Sequence, residues 1–283
     1  MISSELIKHF ETLLSEKIIS TAPLSGGDIN EVYILVTSTQ KVVVKINSAS
    51  QFQGMFQAEA IGLRELKDSK TFIIPEVLHY GELDDVSFLL LEYIDSGMQS
   101  NDFWKVFGQQ LAALHQNSRP YFGLETDNYI GSLPQYNTKQ ASASEFYITQ
   151  RLIPQFKLAI QNGFSFSDVD VFYRNIENEI PNEKSSLVHG DLWNGNFMVD
   201  ASGKPSLIDP AVAYAPREMD IGMMHLFGGF DNELFEVYHE VFPLDGNWKN
   251  RLPIWQLYYL LVHLNIFGSS YYKRVKSVLD LYS

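Results

Sequence analysis

Three residues with the chemistry of a phosphoryl-transfer site fall in one short stretch, LVHGDLWNGNFMVDASGKPSLIDPA, residues 187–211: Asp191, Asn196 and Asp209. The stretch reads as an apolar approach (Leu187, Val188), a polar loop over 189–196, a strand over 197–199, a Ser-Gly turn, and a second strand over 205–208 ending on Asp209. Two strands joined through Asp200 to Gly203 predict a hairpin, which brings Asp191 and Asn196 at its entrance close to Asp209 at its exit. A phosphotransferase needs one carboxylate to orient and deprotonate the acceptor hydroxyl. It also needs a carboxamide and a second carboxylate to hold magnesium against the nucleotide phosphates. An HGD alone can cap a turn, and an Asp after a strand is commonly a turn residue. Their combination at this spacing carries the reading.

The first half of the chain supplies what such a site needs on its nucleotide side. Runs rich in Val, Ile and Tyr predict strands over 18–24, 31–37 and 41–46, preceded by a helix over 3–14 capped by Ser3 or Ser4. Between the first two strands, Gly26, Gly27 and Asn30 belong to a loop with few side chains, suited to lie over phosphates with its N–H groups facing them. Lys45 closes the third strand, and Glu59 follows in QAEAIGLREL, which has helical spacing. A strand lysine fixed by a helix glutamate is the device that holds an ammonium against α- and β-phosphates. Lys41 is the competing lysine, but it starts the strand beside a turn and is expected to be more solvated. The Asp191–Asn196 spacing and the place of Asp209 after the hairpin also match the catalytic and metal-binding positions of protein-kinase-like enzymes.

Strands over 72–80 and 86–94 complete a five-stranded sheet, and Asp95-Ser-Gly97 reads as a hinge. The backbone of Glu92, Tyr93 and Ile94 is placed to meet an adenine edge. Beyond the hinge, an apolar stripe predicts a helix over 102–115, with His115 near its end as a structural histidine. Residues 122–137 have little periodicity and many turn formers, so they read as a long loop framing the acceptor site. Helices are expected over 145–158, 165–179, from Arg217 through Leu226, over 247–266 and over 271–281. The expected fold is therefore α+β and bilobal. Residues 1–94 form a nucleotide-binding lobe with a five-stranded antiparallel sheet and a helix, and residues 95–283 a mainly helical catalytic and substrate-binding lobe.

HGDLWNGN, LIDPA and REMDIGMMHLFGGF together resemble the fructosamine kinases, or ketosamine-3-kinases. These are small-molecule kinases with the aminoglycoside-phosphotransferase type of protein-kinase-like fold, and the resemblance runs from near residue 20 almost to the C-terminus. It implies ATP and Mg2+ as cofactors and phosphorylation of the 3-hydroxyl of a ketosamine, either a small molecule or a glycated protein amine. The product then decomposes and frees the amine, a deglycation repair. By the same resemblance, Trp193 and Asn194 would touch the acceptor sugar, Asp191 would be the base, Asn196 and Asp209 the metal ligands. Asp220 matches the buried Asp that steadies the catalytic loop in kinase-like folds. Pro210-Ala211, where protein kinases have Phe-Gly, suggests a fixed metal loop. The alternatives are a kinase of another hydroxylated amine, such as an aminoglycoside or choline, and a nucleotide-binding pseudokinase.

Composition bounds the partners. The 283 residues carry a net charge of −13, which argues against nucleic acid, whose phosphates need a basic footprint. Charges beyond a Debye length of about 8 Å are largely screened, so local groups decide whether ATP binds. No apolar run approaches the roughly 18–20 residues that span a bilayer, and the first residues lack the form of a signal peptide. With no cysteine, disulfides and cysteine-based zinc sites are excluded, and a cytoplasmic protein without membrane contact is expected.

Overall fold

The computed structural model describes residues 2–24 and 29–282. Helix α1 (Ser4–Leu14) starts at Ser3, whose side chain accepts from the N–H of Leu6 at 3.2 Å. Strands β1 (Ser20–Pro23), β2 (Glu31–Val36) and β3 (Lys41–Ser48) follow, then helix α2 (Met55–Asp68) and strands β4 (Val77–Leu83) and β5 (Val86–Glu92). They form one antiparallel sheet in the order β1-β2-β3-β5-β4. Alternation along β3 divides its side chains. Val42 and Val44 are buried with Leu6 and Phe10 of α1, while Val43 packs on the opposite side with the core beneath α2. Lys45 shares that second side. The expected strand over 72–80 begins only at Val77, because Pro75 interrupts the ladder. Ile73 instead forms a bridge to Ser206 in the other half of the molecule.

Past the linker come α3 (Phe103–His115) and a small hairpin, β6 (Asn128–Ile130) with β7 (Leu133–Gln135). Next are α4 (Ala143–Phe146), a π-helical segment (Tyr147–Leu152), α5 (Ile153–Gln161) and α6 (Val169–Glu179). The hairpin corrects the expectation of an irregular loop over 122–137. Burial does alternate there, but the inward positions include Asn128 and Gln135, so hydrophobicity carried no period-2 signal. Residues 186–215 contribute β8 (Ser186–Val188), β9 (Phe197–Val199), β10 (Pro205–Leu207) and β11 (Ala213–Ala215). β9 pairs with β10 as the expected hairpin, and β8 pairs with β11, closing the stretch at its base. Helices α7 (Glu218–Phe227), α8 (Asn232–Val241), α9 (Trp248–Phe267) and α10 (Tyr272–Tyr282) complete the chain, α8 being a helix the sequence reading did not anticipate. Among the described residues, no helix is long and apolar enough to cross a membrane.

The core between the halves is continuous. Phe56, Ala60 and Leu63 of α2 share one buried cluster with Phe107 and Leu111 of α3 and with Leu207, Val212 and Tyr214. A chemistry-bearing loop laid over such a close-packed base has little freedom to drift.

Candidate active site

The turn at His189-Gly190-Asp191 is held from below by Asp220, in the first turn of α7. Its fully buried carboxylate accepts from the N–H of His189 at 2.8 Å and of Gly190 at 2.9 Å, and His115 Nε2 lies 3.2 Å away. His115 Nδ1 meets the hydroxyl of Tyr238 at 2.9 Å, so His115 is a satisfied structural residue, as its place near the end of α3 suggested. His189 is buried, and burial lowers its pKa, which keeps the ring neutral. The neutral tautomer that fits has Nε2–H donating to the carbonyl of Ile208 (2.9 Å) and Nδ1 accepting from the N–H of Asp191 (3.3 Å).

Asp191 and Asn196 are joined directly. Asn196 Nδ2 donates to the main-chain oxygen of Asp191 at 2.8 Å and to its Oδ2 at 3.0 Å. Burial pushes the Asp191 carboxyl up to about 7; the Asn196 bond opposes that shift, and Asp209 and Asp220 add to it. A carboxylate poised near neutrality suits general-base work. With Nδ2 committed to Asp191, Asn196 Oδ1 is the end left for a metal.

Asn196 Nδ2 also reaches the main-chain oxygen of Asp209 at 3.4 Å, and beside it Lys45 Nζ lies 2.6 Å from Glu59 Oε1 and also pairs with Asp209. Burial disfavours the charge on Lys45, but Asp209 and Glu59 together hold its pKa above the ordinary lysine range. Burial likewise raises Glu59. Lys41 does not compete: it is 2.7 Å from Asp95 and lies over the Tyr93 ring at 5.0 Å. Asp209 adopts a left-handed backbone (φ 56°) directly before Pro210, a conformation that costs energy for any residue but glycine. Its side chain is 41% exposed, so the carboxylate stays partly open although it pairs with Lys45. Asn196 and Asp209 thus offer two hard oxygen donors, which fit magnesium. Among the described residues, no group of three or more His, Cys, Asp or Glu forms a metal cage.

The remaining expected positions are placed as follows. Gly26 and Gly27 lie outside the described residues. Asn30 Oδ1 accepts from Asn47 Nδ2 at 3.0 Å, tying the loop before β2 to β3. The N–H of Glu92 is taken by the carbonyl of Glu76 at 2.9 Å, so only Tyr93 and Ile94 lie past the ladder in the linker. Gly97 then donates to Val199 O at 3.0 Å, which lays the linker on the catalytic hairpin. Trp193 is 41% exposed, its indole folded onto Gly195, where an added Cβ would sit 2.3 Å from the ring. Asn194 packs on Gly229 (φ 86°), where a Cβ would come within 2.6 Å of Asn194 Nδ2. The GGF run and the WNG insert, far apart in sequence, therefore touch. Sequence reasoning missed Asn128 and Gln135, whose buried amides reach the carbonyls of Val212 and Ala211 just after Asp209. No local pattern marks them; their type and burial are informative only once the tertiary contacts are known.

With the geometry in view, comparison with known proteins is decisive. The sequence profile described as "Fructosamine kinase" matches residues 2–282. The chain belongs to the fructosamine kinase family. Its curated relatives include a "Probable ketoamine kinase" of Enterococcus faecium, 39% identical over 91% of this chain and 93% of that protein. One of the same name from Synechocystis is 38% identical over 90% and 88%. Among solved structures, a "Putative fructosamine-3-kinase" of Thermobifida fusca has TM-score 0.87 and 30% identity over 99% and 98% of the two chains. One of the same name from Haemophilus somnus has TM-score 0.89 and 28% identity over 98% and 96%. A spectinomycin phosphotransferase has TM-score 0.62 at 15% identity over 100% and 94%, a likeness of fold. This fructosamine kinase family member thus has the α+β, protein-kinase-like fold expected from its sequence.

Proposed function

We propose that the protein is an ATP- and Mg2+-dependent kinase that phosphorylates the 3-hydroxyl of ketosamines, small or protein-bound, as a step in deglycation. The observation that carries the reading is the meeting of Asp191, with its carboxyl near neutrality, with Asn196, whose amide also reaches the main-chain oxygen of Asp209 at 3.4 Å, while Asp209 pairs with Lys45 and Lys45 with Glu59. Residues 1–94 would bind the nucleotide, with the main chain of Tyr93 and Ile94 meeting adenine. Residues 95–283 would bind the acceptor.

In this mechanism Asp191 orients the acceptor hydroxyl and takes its proton as the oxygen attacks the γ-phosphorus, whose bond to the β,γ-bridging oxygen breaks to release ADP. Lys45, held by Glu59, places its ammonium on the phosphates. Asn196 and Asp209 would hold magnesium, which supplies charge neutralisation on the phosphate oxygens when bound. Trp193 and Asn194, fixed by Gly195 and Gly229, would stack on and hydrogen-bond the acceptor sugar. The test is ADP release across a panel of sugar–amine adducts, aminoglycosides and choline. Turnover of an aminoglycoside or choline with no ketosamine turned over would overturn the substrate assignment, and no ADP release with any acceptor would overturn the enzyme reading.

Lys45 would touch phosphate in both ground and transition states, so Lys45→Ala should raise the ATP KM and lower kcat together, which steady-state kinetics would read. A variant with unchanged ATP KM would remove Lys45 from the phosphate site. Because the assigned metal-binding groups are Asn196 and Asp209, most of the coordination must come from phosphate and water. Calorimetry should therefore find weak Mg2+ binding to the free protein and much tighter binding with ATP. Tight binding without nucleotide would refute the assignment.

A further inference from the structure

We propose that Gln135 and Asn128, on the β6–β7 hairpin, are positioning residues that hold the Asp209 segment in its metal-binding conformation. The proposal rests on the reading of Asp209 as the metal-binding carboxylate. Asn128 Nδ2 donates to Val212 O at 2.9 Å, and Gln135 Nε2 donates to Ala211 O at 3.0 Å. These are the second and third carbonyls after Asp209. Gln135 Nε2 also donates to Asn128 Oδ1 at 2.8 Å, so the two amides brace each other. Gln135 Oε1 accepts from the hydroxyl of Tyr258 at 2.7 Å, and Asn128 Oδ1 accepts from Asn137 Nδ2 at 3.0 Å. Asn137 Oδ1 in turn accepts from the buried Arg151 guanidinium at 2.8 Å. Asn128, Gln135, Asn137 and Arg151 are all buried, so water cannot replace a bond that is lost.

The clamp sits where strain must be contained. Asp209 holds a left-handed φ before a proline, and the chain leaves it through Pro210 directly into the two clamped carbonyls. Ala211 O is also the atom against which the catalytic loop closes, since a Cβ on Gly190 would lie 2.0 Å from it. The N–H of Ala211 donates to His189 O at 2.9 Å, so the metal loop and the catalytic loop share this anchor. Without the two amide donors, both carbonyls would be left unpaired in the interior, and relief would come by moving the segment. Asp209 could then relax to an ordinary φ and swing its carboxylate away from Lys45 and Asn196. Next to Asn128 in β6, the hydroxyl of Tyr129 donates to Gln53 O at 3.0 Å, just before α2, so the clamp is itself braced against the first half of the chain.

The test is calorimetric titration of ATP with Mg2+ and with EDTA on the full chain, alongside amide exchange of residues 209–212 without nucleotide. Gln135→Met, of similar length but unable to donate to Ala211 O, should weaken Mg2+-dependent ATP binding by about tenfold. Binding in EDTA should stay within about twofold, and exchange over 209–212 should accelerate. Tyr258→Phe removes only the bond to Gln135 Oε1 and should shift binding the same way by about two- to threefold, which decides the matter if Gln135→Met does not fold. Val275→Ala, in the core at α10, should lower Tm without moving the metal dependence. Wild-type Mg2+-dependent binding in Gln135→Met, or, if that variant fails to fold, in Tyr258→Phe, would overturn the proposal. So would an equal loss in Val275→Ala. If instead the wild type bound ATP equally with and without Mg2+, or Asp209→Asn bound Mg2+-ATP normally, the metal assignment would fail rather than the clamp.

Discussion

Asp191→Asn is expected to lower kcat by about 10²- to 10⁴-fold while ATP affinity stays within about twofold. Asparagine keeps the shape and can still accept the Asn196 bond, but it cannot take the acceptor proton. The same substitution should make the protein more stable. An unfolded aspartate titrates near 3.8, whereas burial pushes Asp191 up to about 7, so the folded protein binds its proton more tightly. The stabilisation from that proton is complete below the unfolded value and is lost as pH rises through about 7. Ionised Asp191 is thus a cost to the fold at pH 8, and a neutral amide removes it. The full shift corresponds to about 4 kcal/mol, which partial contact of Asp191 with water reduces to roughly 2. Thermal unfolding without nucleotide or metal should show the variant melting above wild type at pH 8, with the gap closing by about pH 4. A variant with near-wild-type turnover would show that the catalytic loop is misassigned, and a gap independent of pH would show that Asp191 does not titrate as described.

The second large effect belongs to Gly190→Ala. Gly190 holds φ 83°, and its added Cβ would stand 2.0 Å from Ala211 O, a backbone atom that cannot step aside alone. Both ends of the residue are pinned. Its N–H donates to Asp220 Oδ1 at 2.9 Å, and its carbonyl accepts from the Tyr259 hydroxyl at 3.0 Å. The clash must therefore be relieved by separating the His189–Asn196 loop from the segment after Asp209. A loss of about 3 kcal/mol is expected, together with at least about a hundredfold loss in kcat, since misplacement of reacting groups by about 1 Å has that effect. Tm should fall by roughly 5–10 °C for a chain of this size. Scanning calorimetry and steady-state rates read both quantities. Wild-type values for both would show that the two loops are not packed as closely as Ala211 and Gly190 require.

Much of the candidate site is legible in the sequence because its signals are local. The alternation of hydrophobic residues around the Asp200–Gly203 turn predicts the β9–β10 hairpin, and that hairpin alone brings Asp191, Asn196 and Asp209 together. A strand lysine and a helix glutamate fourteen residues on likewise predict the 2.6 Å Lys45–Glu59 pair. Resemblance added Asp220, which the catalytic stretch by itself does not name. Tertiary structure alone decided how the site is braced. Lys45 finds its second partner in Asp209, 164 residues away, and the segment after Asp209 is held by Gln135 and Asn128 from 76 and 84 residues away. It also brought the GGF run onto Asn194 and turned a stretch read as loop into a hairpin. The physical reason is the same in each case. Secondary structure is written in periodic burial of apolar side chains, which a short window contains. A buried amide chosen to satisfy a distant carbonyl carries no period, and in sequence it looks like any polar residue in a loop.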